Sequence, residues 1–469
     1  MLRRKSALIL LLSLLIWTAM AIYGQAPTGT ILGTVTDETG AVIPNATLTI
    51  TNRATGIARS VVTNSEGFFS APALPAGQYE LRGEVQGFKT VVRQAEVEIG
   101  RSTTVNIPLS VGTSKEVVNV EAATAQINYE NHEIQGIVER DTIQDLPING
   151  RSFMELSTLE PGVTISPGST AQFNTLFTVS VLGGGNRTLF TVDGGNISDN
   201  IDVGGGISSM NFSMDTVQEF QISTVNFDLA TGISSGGAIN IVTRSGSNTL
   251  HGSAYFFYRD HNMAAYPGLA RNPSVPNPFF ARRNPGAWLG GPIIKDKLFF
   301  FFNYEYMNQV QAISVQNTTP SFAALQGTYG SPYVGKQLSL RMDYHLSAKN
   351  NLFLRYSHDG NSGFSQSLEF GDPSNWAHNT NWSDQSIIGV TTVLTPTLVN
   401  DVRFQYNYWN NKNQPASASD CSGPCVAGVL PNIFTFVGAN QAAIGPNFNT
   451  PQGRNTRRFE LVESLTWQK

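Results

Sequence analysis

A strict alternation of apolar and polar residues in KQLSLRMDYHL, residues 336–346, constrains this chain more than any other feature. Every second residue is apolar: Leu338, Leu340, Met342, Tyr344 and Leu346. Because successive side chains of a β-strand point to opposite faces, the pattern predicts a strand with one apolar and one polar face. In a soluble protein the apolar face would pack into a core. In a membrane barrel it would meet lipid, and the polar face would meet the lumen.

The connections between such strands decide between the two environments. NNLFLRYSH (350–358) and DVRFQYNYWNN (401–411) alternate in the same way. Short turns join strands at 295–297, 347–350 and 395–397, whereas long polar stretches separate the hairpins at 259–286, 308–335, 359–382 and 410–455. Bacterial outer-membrane barrels have this asymmetry, and four structureless loops of such length are exceptional in a compact soluble domain. We therefore expect a transmembrane antiparallel β-barrel, in which Arg341 on the lipid face would cost about 2–4 kcal/mol.

The N-terminus indicates export. A basic segment at residues 1–5 precedes a continuous apolar run from Ala7 to Ile16, and small residues then offer cleavage after Ala21 or Ala26. This order predicts a secretory signal peptide over residues 1–26. The alternative is an uncleaved anchor helix, but the apolar run is shorter than the roughly 20 residues that a span needs.

Cysteine and charge exclude several functions. Cys421 and Cys425 stand alone in DCSGPC, so we expect a surface disulfide in an exported protein and not a redox or zinc site. Charged residues are only 14% of the chain and the net charge is −4, which does not favour nucleic-acid binding. The histidines form neither H-x-x-E nor H-E-x-x-H. We predict no metal, no cofactor and no enzymatic activity.

Residues 27–112 predict a small β-sandwich. Strand-like runs follow one another at short spacing, with turn residues between them. GTVTDETGAVIPNATLTI and TNSEGFFSAPALPAGQYELRGEVQGF resemble the carboxypeptidase regulatory-like domain, which has an Ig-like, carbohydrate-binding-like fold. The resemblance implies a module that carries no zinc of its own.

Residues 130–246 have a different character. IVERDTIQDLPINGRSFMELSTLEPGV is the best helix candidate, although Pro147 and Asn149-Gly150 should divide it into two short helices. LPINGRSF, TLFTVDG, VQEFQIST and GGAINIVTRSGSN, taken together and in this order, resemble the α+β plug domain of TonB-dependent outer-membrane receptors. We expect a mainly β protein in which the sandwich, a linker (113–129) and the plug precede the barrel.

The barrel region, residues 247–469, resembles the first strands of Oar-like TonB-dependent receptors. It contains about seven strands and the start of another at RRFELVESLTWQK. Receptors that hold a plug close with about 22 strands, and an open edge in lipid leaves backbone groups unpaired. We therefore expect an incomplete barrel and a chain that is the N-terminal part of a longer receptor.

The resemblance implies a mechanism and partners. The expected function is energy-coupled uptake of a bulky nutrient, an oligosaccharide, a peptide or a chelate, driven by the TonB–ExbB–ExbD complex. The alternatives are a non-transporting outer-membrane surface or adhesion protein and a secreted carbohydrate-binding protein. A candidate TonB box precedes the plug: Glu116, Val117, Val118, Asn119, Val120, Glu121 and Ala122. The same segment is also explained as the last strand of the sandwich or as a spacer.

The plug contains candidate functional side chains. Four polar residues follow the TLFTVDG strand and are candidates for binding a sugar or calcium: Asp193, Asn196, Asp199 and Asp202. The alternative for these four is a glycine-rich turn with solvated carboxylates. Arg151, within NGRSF, is expected to contact the barrel wall.

Overall fold

A computed structural model describes residues 28–112, 117–120, 134–146, 148, 150–166, 178–182, 188–199, 207–225, 236–264, 278–315, 320–365, 371–395, 397–420, 434–436, 442–447 and 450–467. The candidate signal peptide lies outside these residues. So do Glu116, Glu121 and Ala122 of the candidate TonB box, Asp202, and both cysteines, Cys421 and Cys425.

The N-terminal unit is a two-sheet β-sandwich. Its strands are β1 (Gly29–Asp37), β2 (Thr47–Asn52), β3 (Ala58–Val62), β4 (Phe68–Leu74), β5 (Gly77–Glu84), β6 (Thr90–Val97), β7 (Ser102–Thr104) and β8 (Ile107–Leu109). One sheet places β1 between β4 and the pair β7 and β8, and the other runs β3-β2-β5-β6. Alternate side chains of both sheets, among them Ile31, Leu48 and Leu81, are buried in a shared core.

A ninth strand lies at the edge of the second sheet. β9 (Val117–Val120) pairs in parallel with β6, and its residues lie opposite residues 90–93. This placement corresponds to the alternative in which the segment is the last strand of the sandwich. The central four residues of the candidate TonB box are therefore part of a sheet.

The described part of the plug combines three short helical segments with a five-stranded sheet. Its elements are β10 (Ile134–Val138), α1 (Arg140–Asp145), a 3-10 helix (Phe153–Leu159), β11 (Val163–Ser166), β12 (Thr178–Val181), β13 (Leu189–Val192), β14 (Gly195–Asn196), β15 (Ser198–Asp199), β16 (Ile207–Ser208), a second 3-10 helix (Met214–Thr216), β17 (Val217–Val225) and β18 (Ala238–Thr243). The main sheet has the order β10-β17-β18-β13-β14. The two short helices that were predicted around residues 140–159 are confirmed, the second as a 3-10 helix.

The C-terminal half forms an open antiparallel sheet of eight long strands. They are β19 (His251–Asp260), β20 (Phe280–Ile294), β21 (Leu298–Val315), β22 (Gly327–Ser347), β23 (Asn350–Ser365), β24 (Ala377–Thr395), β25 (Leu398–Pro415) and, after the short hairpin β26 (Phe434–Phe436) and β27 (Ala442–Ile444), β28 (Gln452–Trp467). Short 3-10 helices occur at His261–Met263, Pro320–Leu325, Pro373–Asn375 and Ala418–Asp420. Among the described residues, β19 and β28 form the two ends of the sheet, which is not closed.

The two faces of this sheet differ as the alternation predicts. Phe302, Leu340 and Tyr356 lie side by side on neighbouring strands and are all exposed on the outer face. One position along, Asn303 and Ser339 are paired and buried on the inner face, against the plug. The assignment of the apolar set to the outside and the polar set to the inside is confirmed.

The short turns of the hairpins are also confirmed, but the long connections are shorter than predicted. β21 continues to Val315 and β22 begins at Gly327, so the expected 308–335 loop is mostly strand. These extensions are rich in Ser, Gly, Asn and Gln, and their apolar residues, such as Val310 and Ile313, fall on both faces, so they give no alternation to detect. No helix among the described residues has the length and apolar character to cross a membrane.

Candidate functional site at the plug–barrel interface

The plug packs against the polar inner face of the barrel sheet. One inner row crosses neighbouring strands in register and is almost completely buried: Ser339, Ser357, Gln385 and Asn407. Burying polar groups is costly unless they find hydrogen-bond partners. The interface is therefore organised by hydrogen bonds and ion pairs, and these fix the position of the plug.

A tight turn in the plug presents Asp193 to the barrel. Asp193 and Gly194 join β13 to β14, and both have positive φ, +49° and +82°. Asp-Gly is a favoured pair for such a two-residue hairpin because both central positions are left-handed. The turn that the sequence predicted as TLFTVDG thus places a carboxylate at the tip of a hairpin.

Asp193 is the centre of a buried ionic cluster. Its side chain is 1% exposed and lies 3.1 Å from the Arg341 guanidinium and 2.6 Å from that of Arg355, both on the barrel wall. The Thr243 backbone N–H and hydroxyl donate to the two carboxylate oxygens at 3.0 and 2.7 Å, and Arg403 donates to the Asp193 carbonyl at 3.3 Å. Burial alone raises the pKa of the Asp193 carboxyl, but Arg341 and Arg355 outweigh it and hold that pKa below its ordinary value. The carboxylate therefore stays ionised and fastens the plug to two barrel strands, β22 and β23, while the Asp193 carbonyl binds a third, β25.

A second cluster surrounds Glu305 of the barrel. Arg151 of the plug donates to Glu305 at 3.2 Å and to Asp215 of the plug at 2.5 Å. Ser213 and Tyr255 donate to the other Glu305 oxygen at 2.6 and 2.9 Å. The Arg151 guanidinium also lies 4.6 Å from the centre of the Tyr255 ring, a cation–π distance. Arg151 thus bridges plug and barrel.

The remaining candidate ligand residues have different environments. The Asn196 carbonyl and side-chain oxygen both accept from Arg458 of β28 at 3.0 Å, and its backbone N–H donates to Glu460 at the same distance. Asp199 lies in β15, opposite Ile207. Asp193 and Asn196 are therefore engaged with the barrel wall, an arrangement that gives no support to a role in ligand binding.

Two family models and one curated relative show which known proteins this chain is similar to. A family model described as an outer membrane beta barrel domain matches residues 242–335 and 329–469, and one for the carboxypeptidase regulatory-like domain matches residues 30–110. The TonB-dependent transporter Oar of Myxococcus xanthus is 31% identical over 302 residues, which are 60% of this chain and 27% of that protein. This chain is a homologue of the TonB-dependent transporter Oar. It spans about a quarter of the length of that relative.

A solved structure shares the fold. The outer membrane transporter YddB from Escherichia coli matches 71% of this chain and 45% of its own length, with a TM-score of 0.53 and 10% identity. This chain thus shares the fold of that transporter, and the match of its C-terminal half to the outer membrane beta barrel domain supports a location in the outer membrane.

Most of the barrel partners in these clusters are not predictable from the sequence pattern. Arg341, Arg355 and Arg403 occupy polar positions of alternating strands, so the pattern predicted their face but not their partner. Their convergence on Asp193 depends on the register of three separate strands. A sequence-based signal did exist, because a charged residue on the lumen face of a plugged barrel is expected to find a counter-charge.

Replacing Arg151 by Leu is expected to loosen the plug. The change leaves Glu305 buried without its cationic partner, and truncating one member of a buried, hydrogen-bonded charge pair costs about 2–5 kcal/mol. Conductance of the protein in planar lipid bilayers under rising urea should increase at lower urea than in wild type. Arg151→Lys keeps the charge but loses the ring contact and one hydrogen bond. Its urea midpoint should therefore lie between those of wild type and Arg151→Leu. Equal urea midpoints for all three proteins would contradict this role.

The plug also contacts the sandwich through a buried carboxyl group. The Ile99 backbone N–H donates to Glu219 of β17 at 2.8 Å. Burial is the main cause that raises the pKa of Glu219 to about 8, the hydrogen bond from Ile99 opposes it, and the nearby Glu98, Glu139 and Glu96 add to it. Glu219 is therefore mostly protonated at neutral pH.

This raised pKa predicts how stability depends on pH. The folded state retains the Glu219 proton while the unfolded chain has lost it, so the free energy of unfolding should fall as pH rises from about 4.5 to about 8. The side chain in Glu219→Gln cannot ionise, so the free energy of unfolding of this variant should fall less than that of wild type as pH rises. Urea unfolding of both proteins at about pH 5 and about pH 9 measures the difference. The prediction is wrong if the two proteins lose stability equally.

Proposed function

We propose that this chain belongs to an active outer-membrane importer in which an energy-coupled movement of the plug admits a bulky nutrient. The observation that carries the proposal is the plug itself, which is held against the polar barrel face by the Asp193 and Glu305 clusters. Such a plug blocks diffusion through the lumen, and breaking buried ion pairs requires work. The expected cargo is an oligosaccharide, a peptide or a chelate too large for an open porin.

We infer that the TonB–ExbB–ExbD complex supplies this work. An extended segment ahead of the plug would add to TonB as a β-strand, with main-chain hydrogen bonds providing the affinity. Residues 116–122 lie in the right place, and four of them already have strand geometry in β9. On this proposal the signal peptide exports the chain, and the sandwich lies on the periplasmic side, where it meets the short turn at residues 295–297.

Deletion of residues 116–122 from the full gene product tests the coupling. We expect loss of TonB pull-down and of TonB-dependent growth on oligosaccharide or peptide as sole carbon source, with normal amounts of folded protein in the outer membrane. Deletion of an equally long stretch of the sandwich turn at residues 36–42 is the matched control. Unchanged pull-down and growth after the first deletion would refute this coupling segment, and growth that never depends on TonB would favour a surface protein without transport activity.

A further inference from the structure

The sandwich and the first short turn of the barrel are joined through one residue, Asn248. Its backbone N–H donates to the Ala54 carbonyl at 2.8 Å, and its side-chain amide donates to the Thr55 carbonyl at 2.7 Å, both in the sandwich. The same amide group donates to the Asp296 carboxylate at 2.6 Å and accepts from the Asp296 N–H at 2.8 Å. Asp296 belongs to the first short turn of the barrel, and Asn248 lies between the last plug strand and the first barrel strand.

The fit at this junction is close. Gly56, with φ of +70°, packs so tightly on the turn that a β-carbon there would lie only 2.7 Å from the Asp296 Oδ1. The loop at residues 52–56 is thus pressed against the barrel turn, and both are joined by one amide side chain. Such a cluster of hydrogen bonds fixes the orientation of the sandwich relative to the barrel.

A second contact fixes the sandwich to the plug sheet. Besides the Ile99–Glu219 hydrogen bond, Gly100 lies against Gln221, where a β-carbon would be 2.7 Å from the amide nitrogen. Glu219 and Gln221 belong to β17, which pairs with β18, and β18 carries the Thr243 that bonds to Asp193. The sandwich therefore holds the same strands that hold the plug in the barrel.

A cavity of about 420 Å³ lies between these two contacts. The sandwich contributes Tyr79 to its wall, the plug contributes Arg244, and the barrel contributes Tyr344 and Phe353 near the ends of β22 and β23. The sandwich thus covers the plug–barrel interface at the end where the short turns of the barrel lie. A plug that left the barrel through this end would have to pass the sandwich.

We propose that the sandwich is a latch that must release Asn248 and the 295–297 turn before the plug can move. The proposal rests on the proposed function, because it describes how the moving plug is restrained. A plug that shifts as a body carries β17 and β18 with it, and Asn248 follows β18 by only a few residues. The plug cannot shift while the sandwich holds both that segment and the barrel turn.

An engineered crosslink tests the latch without cargo or TonB. Gly56→Cys combined with Asp296→Cys, in a background with Cys421→Ser and Cys425→Ser, joins sandwich and barrel across their contact. A peptide tag for biotin, inserted at residue 125 of the full gene product in supported bilayers, allows single molecules to be pulled with a streptavidin-coated tip. We expect the plug of the oxidised double variant to resist extraction, and we expect reduction to lower the extraction force to no more than that of wild type, because the Asp296→Cys change also removes a hydrogen bond to Asn248. The two single cysteine variants cannot form the crosslink, so oxidation should leave the extraction force of each one unchanged. Gly56→Cys shares the strain at residue 56 with the double variant, and Asp296→Cys shares the loss of the hydrogen bond to Asn248.

A second variant tests the opposite direction. Asn248→Ala removes the side-chain hydrogen bonds to Thr55 and Asp296 and should lower the extraction force. An oxidised crosslink, verified by gel mobility, that leaves the extraction force unchanged overturns the latch. An Asn248→Ala protein with wild-type force overturns it as well. Pulling requires neither TonB nor cargo. A result against the latch therefore does not contradict coupling through residues 116–122, and a result against that coupling does not contradict the latch.

Discussion

Asp193→Asn is expected to destabilise the seated plug by about 3–5 kcal/mol, the usual cost of removing one partner from a buried ion pair. Asparagine tolerates the left-handed conformation at this turn, so the hairpin should survive and only the charge should be lost. Arg355, with 0% exposure, then keeps its positive charge without its counter-ion. Urea-dependent protection of the plug from protease measures the loss, because a plug that leaves the barrel becomes cleavable.

A matched variant distinguishes this buried pair from an ordinary one. Asp343 pairs with the same Arg341 at 2.8 Å but is 24% exposed, so Asp343→Asn should cost only about 0–1 kcal/mol. Combining Asp193→Asn with Arg355→Met should restore part of the stability, because an apolar side chain needs no counter-charge. If Asp193→Asn and Asp343→Asn shift the urea midpoint equally, the central cluster does not hold the plug.

The lowered pKa of Asp193 determines the sign of the pH effect. A carboxyl group with a depressed folded pKa contributes stability above its unfolded value, and that stability disappears as pH falls through the folded pKa. The contribution of Asp193 should therefore persist at neutral pH and disappear only below about pH 4. In acid, the free energies of unfolding of wild type and Asp193→Asn should become equal. Asp193 thus contributes less stability as pH falls, whereas Glu219 contributes less stability as pH rises.

The sequence predicted the parts of this fold that follow from local periodicity. Leu340 and Ser339 are assigned to opposite faces by parity alone, and the structure places them there. The two short plug helices follow from their apolar spacing and from the breakers Pro147 and Gly150. These are properties of neighbouring residues, and neighbouring residues are what a single sequence displays.

The features that the sequence did not predict depend on distant pairings. Nothing near Asp193 indicates that three arginines, 148 or more residues away along the chain, converge on it. The junction at Asn248 is of the same kind, because it joins segments from separate units. An isolated polar residue is compatible with many partners, and only the assembled strand register selects one.

Leu340→Arg is expected to give the largest effect on the barrel itself. Leu340 lies on the outer face of β22, 41% exposed and seven residues before the end of that strand at Ser347. At about 3.3 Å per residue and a tilt of about 45°, this places it near the middle of the hydrocarbon layer. An arginine there costs about 2–4 kcal/mol because its charge must be moved into lipid.

Leu346→Arg is the matched control for depth. Leu346 has the same parity on the same strand and is 55% exposed, but it lies one residue from the turn, where an arginine reaches the interface and costs about 0–1 kcal/mol. Folding of the full gene product into phospholipid vesicles under urea should therefore fail at lower urea for Leu340→Arg, while Leu346→Arg remains close to wild type. Equal midpoints for the two variants would show that the face carrying Leu340 does not meet hydrocarbon, because in water or in a protein crevice the two substitutions have no reason to differ with depth.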